Sequence, residues 1–279
     1  MEADSGKIIE HRLGNGLLVL LRQNRVAPVV SLSFAYRVGS RYERPGMTGV
    51  SHLLEHEMFK GTHKHPTGDF DRLLTSIGAD NNAYTWMDRT VYYEVVPADR
   101  IDLVLELEAD RMRNLVFDER EHASELAVVR NELEQSDDSP PTLLFKNLRA
   151  TAFIAHPYGI PTIGWTRDLE RITVEQVRSY YDRYYRPENA VIVAVGEFDP
   201  DMMLAAIERH FAAIPRGKSV DLRVPSEPEQ TGQRRLVLRR SGRNDYILIG
   251  WHIPASRHQD AYALEVLENV LGNGCTSRL

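Results

Sequence analysis

The stretch His52-Leu53-Leu54-Glu55-His56 constrains this chain strongly, because as a helix it sorts its residues onto two opposed faces. A helix advances ~100° per residue, so His56 falls ~40° and Glu55 ~-60° from His52, all three within one arc. Val50, Leu53, Leu54 and Met58 fall on the other side. One face is expected to pack into a core. The other presents two imidazoles and a carboxylate.

A histidine pair four apart is common on helix surfaces, and the spacing alone does not specify a metal. Here the pair lies off the packing face, and Glu55 stands where the reversed zinc motif H-x-x-E-H places its general base. Zinc takes four near-tetrahedral positions, and a hydrolytic site fills three from the protein and leaves one for water. A third ligand must therefore come from elsewhere. The best source is a helix expected over residues 118–135, which opens with Asp118 and Glu121 in capping-box spacing. It carries Glu125 and Glu132, about two turns apart and so on one side. From spacing alone, that face is either solvated or catalytic.

These residues resemble the pitrilysin or insulinase-type zinc metallopeptidases, which include the mitochondrial processing peptidases. The likeness runs through Leu13-Gly14-Asn15-Gly16-Leu17, Gly39-Ser40-Arg41, the run from Gly49 to Phe59-Lys60-Gly61-Thr62, and Asn82-Ala83-Tyr84-Thr85. It continues with Thr90-Val91-Tyr92-Tyr93, His156-Pro157-Tyr158-Gly159 and Tyr185-Arg186-Pro187-Glu188-Asn189-Ala190 leading into Val195-Gly196. Essentially all of residues 7–279 is covered. The resemblance implies Glu132, within Val128-Val129-Arg130-Asn131-Glu132-Leu133, as the third ligand of one Zn2+ beside His52 and His56. It implies Glu55 as general base and Glu125 as a supporting carboxylate, against the plainer readings of a solvated charge or an ion pair with Arg130. Zinc so held lowers the pKa of its water toward ~7 and polarises the scissile carbonyl. Glu55 takes the water's proton and delivers it to the leaving amine.

Residues 78–85 and 90–96 read as two strands joined by a turn at Met87-Asp88-Arg89, the first at a sheet edge. An exposed edge can pair with an extended peptide through backbone hydrogen bonds. The resemblance places Asn82 and Ala83 on that substrate-pairing strand. The plainer reading is a hairpin whose asparagines serve the turn.

Strands are expected at 17–22, 29–38 and 190–196, and helices at 68–77, 98–114, 118–135, 141–156, 173–185 and 200–214, with Thr173 and Gln176 in capping-box spacing. Hairpins with grouped helices favour an α+β fold, a largely antiparallel sheet covered by helices. Proline and glycine mark residues 215–234 as a linker, dividing a catalytic zinc-binding domain at 1–214 from a second unit at 235–279. That unit repeats the opening, with strands at 236–240 and 246–253 and a helix at 260–271, but its helix has Glu265 and Glu268 and no histidine pair. It resembles the start of the family's zinc-free half-domain and is too short to close a core. The chain is therefore expected to be a fragment, and the resemblance implies that a second half, or a partner subunit in a homo- or heterodimer, supplies an arginine and a tyrosine for substrate and oxyanion.

Composition narrows the partners. A formal charge of -6 without a dense basic run argues against nucleic acid, and no apolar segment is long enough to span a membrane. The one cysteine, Cys275, cannot form an internal disulfide, which leaves the compartment open. The start Met1-Glu2-Ala3-Asp4-Ser5-Gly6 fits a cytoplasmic beginning, or a periplasmic protein whose signal peptide has been removed. His63-Lys64-His65, His122, His156, His210, His252 and His258 have no ligand-spaced partners and read as structural. Glu57 is a misfit beside the apolar arc. The expected activity is a zinc endopeptidase acting on peptides or small unfolded proteins; the alternative is a non-catalytic assembly subunit of the same fold.

Overall fold

Alternation of apolar side chains builds one sheet. In a computed structural model, which describes residues 7–218, 220–242, 244–272, 274 and 276–278, the strands are β1 (Ile9–Arg12), β2 (Leu18–Gln23), β3 (Val29–Tyr36), β4 (Asp80–Thr85), β5 (Thr90–Pro97) and β6 (Ala190–Gly196). Residues of β6 alternate between buried and partly exposed along its whole length, as a strand with one covered face requires. The order is β1-β2-β6-β3-β5-β4. Every neighbouring pair is antiparallel except β2 with β6. The fold is α+β, and the sheet is largely antiparallel as expected.

The helices are α1 (Val50–Glu57), α2 (Asp69–Ser76), α3 (Ile101–Asn114), α4 (Glu119–Asp138), α5 (Pro140–Ala152), α6 (Thr166–Leu169), α7 (Val174–Tyr184), α8 (Pro200–Phe211) and α9 (Ala261–Gly272). Start signals were legible: Thr173 and Gln176 form a reciprocal capping box on α7, and Asp118 caps α4 by accepting from the N–H groups of Arg120 and Glu121. The insertion of β6 between β2 and β3 was not. It brings Gly196 against β3, where a Cβ would stand 2.2 Å from the Val29 carbonyl oxygen, a close approach only glycine permits. β1 was also missed, being four residues long and mostly exposed.

The core joins the inner face of the sheet to α1, α3, α4, α7 and α8, with Leu53, Leu54, Val104, Val129, Val177 and Ile207 buried. The Arg111 side chain is fully buried in it. The Arg111 guanidinium lies 4.2 Å from the Phe70 ring centroid and 4.4 Å from that of Tyr92, and it pairs with Glu94 and Glu108. Burial, then the nearby Glu108, pushes the Glu94 carboxyl well above its usual range.

Residues 235–260 depart from expectation. The strands predicted at 236–240 and 246–253 are absent from the described residues there, although α9 forms close to its predicted position. A strand is defined by its ladder, and an isolated pair is marginal in water. The segment runs instead along α5: Arg234 donates to the Thr151 carbonyl at 3.1 Å, and the His252 ring stacks on Phe153 at 4.9 Å. Trp251 and Ile247 are left largely exposed. Residues 1–6 and Cys275 lie outside the described residues.

Candidate metal centre

α1 begins at Gly49, whose φ of 91° is left-handed. A Cβ there would meet the Ile163 carbonyl oxygen at 2.5 Å, so a side chain would be both strained and obstructed. Glu43 fills the first turn, accepting from the N–H groups of Gly49 at 2.8 Å and Ser51 at 2.9 Å. These are donors that a helix start leaves open. Burial pushes the Glu43 carboxyl from 4.5 up to about 7, against the pull of those two donors. Between these values the folded chain keeps a proton that the unfolded chain has released, so this group's contribution to stability falls as pH rises through the window. Glu43→Gln has no proton to lose. The stability of the wild type relative to this variant is expected to decline between about pH 4 and about pH 7, by on the order of 3 kcal/mol. Melting curves at matched ionic strength read this directly; a pH-independent difference would contradict it.

The apolar arc of α1 is buried, with Val50, Leu53, Leu54 and Met58 in the core. His52 and His56 stand together on the other side, their ring centroids 4.8 Å apart. Burial, then the neighbouring His56, pushes the His52 imidazole down to about 4. At neutral pH it is therefore uncharged, the form that can ligate.

Glu132 arrives from α4. Its Oε2 lies 3.8 Å from His52 Nε2 and 3.7 Å from His56 Nε2, and the three donor atoms fall within 4.8 Å of one another. Bonds of ~2.0–2.2 Å in a tetrahedron put ligand atoms ~3.4 Å apart, so Glu132 Oε2 already stands within a few tenths of an ångström of the separation from each histidine that a shared ion requires. Two neutral nitrogens and one anionic oxygen suit zinc and leave a fourth position for water. The residues present fit the ion. Among the described residues this is the one group of three such side chains so placed.

Glu125 is buried, with Oε2 3.2 Å from His56 Nδ1 and Oε1 2.6 Å from Lys60 Nζ. A proton held on Nδ1 by this carboxylate leaves Nε2 with its lone pair on the side of Glu132. The cation beside Glu125 is Lys60, not Arg130. Lys60 escaped sequence reasoning, although it lies one turn beyond His56, where a helical continuation would aim it at the same neighbour.

Glu55 is buried, and its Oε2 accepts from the Thr85 hydroxyl at the end of β4. Burial raises its carboxyl above the usual range, opposed by the Thr85 hydroxyl and His56. Thr85 was legible only as part of a strand. Nothing in its spacing pointed to Glu55. Asn82 and Ala83 lie on β4, the sheet edge, opposite Tyr93 and Tyr92; the Ala83 N–H is bonded to Asn82 Oδ1 at 2.8 Å.

Several of the remaining histidines have local partners. His65 faces Glu106 at 3.4 Å, His210 bonds Asp102 at 2.7 Å, and His156 accepts from the Tyr158 N–H at 3.2 Å. His122 and the misfit Glu57 meet each other, Nδ1 to Oε1 at 2.6 Å.

The chain is similar to known proteins in sequence and in fold. Residues 18–165 match the family described as Insulinase (Peptidase family M16), and residues 171–279 match the one described as Peptidase M16 inactive domain. The zinc protease PqqE of Helicobacter pylori is 32% identical over 273 residues, covering 96% of this chain and 61% of that protein. The uncharacterized zinc protease YmxG of Bacillus subtilis is 29% identical, covering 95% of this chain and 64% of that protein. A crystal structure of a protease from Helicobacter pylori superposes with a TM-score of 0.89 at 31% identity, covering 98% of this chain and 67% of that one. The first half of the periplasmic protease PqqL from Escherichia coli gives 0.74 at 27% identity, covering 80% of this chain and 50% of that one. The chain thus spans less than two thirds of the length of these two sequence relatives.

Proposed function

The chain belongs to the insulinase (M16) peptidase family, and from that premise we propose that it carries the zinc-binding unit of an endopeptidase that hydrolyses peptides or small unfolded proteins. The unit is residues 1–214. After a linker at 215–234, residues 235–279 begin a second unit without zinc ligands. The observation that carries the reading is the convergence of one donor atom each from His52, His56 and Glu132 within 4.8 Å, from two helices that share a core.

Zinc held there supplies Lewis acidity and a water whose pKa is lowered toward ~7. The chain's own groups do the rest. Glu55, anchored through Oε2 to Thr85, takes the attacking water's proton and later returns it to the leaving amine. Its raised pKa brings it nearer the pH at which a base can both accept and give back a proton. Glu125 holds the proton on His56 Nδ1. The edge of β4 aligns an extended peptide by backbone pairing beside Asn82 and Ala83, and β4 also carries Thr85, so the strand that pairs with the peptide also anchors the base on α1. A second half or partner subunit completes the chamber and supplies the charge stabilisation that the tetrahedral oxyanion needs.

The purified chain, stripped with chelator and titrated with zinc, is expected to take up one equivalent with a rise in melting temperature. Together with the second half or partner subunit proposed above, the protein is expected to cleave an unfolded peptide, to stop with chelator and to resume with zinc. Failure of the chain to bind zinc at all would remove the ligand assignment.

A further inference from the structure

Glu57 and His122 stand off the ligand-bearing arc, yet they join the two helices that carry the ligands. Glu57 follows His56 on α1. His122 precedes Glu125 by about one turn of α4. Their contact is direct, Oε1 to Nδ1 at 2.6 Å, and the far nitrogen of His122 lies 3.0 Å from the Ile172 carbonyl oxygen. Both residues are buried, at 5% and 7% exposure, so solvent and salt screen the pair little.

The partners settle the ring's role. A carbonyl oxygen can only accept, so His122 donates from Nε2; with the Glu57 carboxylate on the other side it donates from Nδ1 as well and carries a positive charge. The pKa of His122 is raised, chiefly by the Glu57 hydrogen bond, which agrees. A buried pair of this kind adds little net stability, because desolvation offsets the attraction, but it is specific in direction.

Two links now tie α1 to α4 from different sides. One is His56 with Glu125 beside the metal site; the other is Glu57 with His122, anchored in turn to the segment between α6 and α7 through Ile172. One link alone lets α4 pivot about it. Two links in different directions, separated by a turn of α4, hold its rotation and its slide. The metal site needs both held, since Glu132 comes from α4 and its two partner ligands from α1, and the donor separations tolerate only tenths of an ångström.

We infer that the Glu57–His122 pair is a positioning clamp, which sets the α1–α4 register and so holds Glu132 at the distance from His52 and His56 that zinc requires. This rests on the ligand assignment proposed above and extends it to two residues that do not touch the ion.

The test separates placement from stability. Glu57→Gln and His122→Gln each break the ion pair. The double variant Glu57→Met with His122→Leu removes both charges and refills the space with apolar side chains, a replacement that is often neutral or stabilising for the fold. Zinc affinity is measured for each 279-residue chain by competition with a chromophoric chelator, alongside the melting temperature of the metal-free form. Both single variants are expected to bind zinc about 10- to 100-fold more weakly, the range seen when outer-shell support is lost. The double variant is expected to melt within a few degrees of wild type and still to bind at least about 10-fold more weakly. A double variant that folds and binds zinc as tightly as wild type overturns the clamp while leaving the ligand set intact. A wild-type chain that binds no zinc overturns the ligand assignment, and the clamp with it. Should His122→Gln not fold, the near-isosteric Glu57→Gln carries the same reading.

Discussion

Glu55→Gln is expected to keep zinc bound and to lower kcat for peptide hydrolysis by about 10²- to 10⁴-fold, the usual contribution of a positioned general base. The reasoning is local. Glu55 is the carboxylate on the arc shared by His52 and His56, yet it does not belong to the set whose donor atoms converge. Its Oε2 is held by the Thr85 hydroxyl, and its pKa is raised mainly by burial. A glutamine keeps the shape, and its amide oxygen can still accept from Thr85, so neither α1 nor the ligands have reason to move. What is lost is the capacity to take a proton. Elemental analysis together with steady-state kinetics on the protein assembled with its proposed second half or partner subunit reads both halves of this expectation. Substantial turnover by a zinc-loaded Glu55→Gln protein would mean that another group serves as the base.

Glu132→Gln is expected to behave in the opposite way, losing the metal while keeping the fold. The Glu132 side chain is half exposed, at 50%, so the substitution gives up little packing and buries no new polar group. It removes the one anionic donor of the set, leaving two neutral imidazoles and an amide oxygen to hold a dication. The drop in zinc affinity should exceed the 10- to 100-fold cost of losing an outer-shell partner, and so be more than about 100-fold. Competition titration measures it, with the metal-free melting temperature as control. Unchanged affinity would remove Glu132 from the ligand set, whereas a large fall in melting temperature without zinc would mean that the residue serves the core.

Much of the fold could be read from pattern because its signals are local. The faces of α1, the cap of α4 at Asp118, the box on α7 and the alternation in β3 and β6 each depend on residues within a few positions of one another. The strands expected at 236–240 and 246–253 show the limit of that reading: an apolar alternation licenses a strand but does not supply the neighbour whose N–H and C=O groups complete it. The metal centre divides in the same way. His52, Glu55 and His56 stand out because one helix turn puts them together, and Glu125 and Glu132 because another does. Lys60, Thr85 and the partnership of Glu57 with His122 did not, since each acquires its meaning from a residue on a different element.

By itself the sequence determined most of the helices and strands of residues 7–218, the two-faced character of α1, and a short set of side chains able to bind a metal. Tertiary structure decided that β6 runs between β2 and β3, that α4 lies against α1 so that Glu132 reaches the histidines, and that a buried carboxylate and imidazole face each other between those helices. The physical reason is range. Periodicity and capping act over one or two turns of chain, whereas burial, ion pairing and metal geometry depend on distances in space that only the packed core sets.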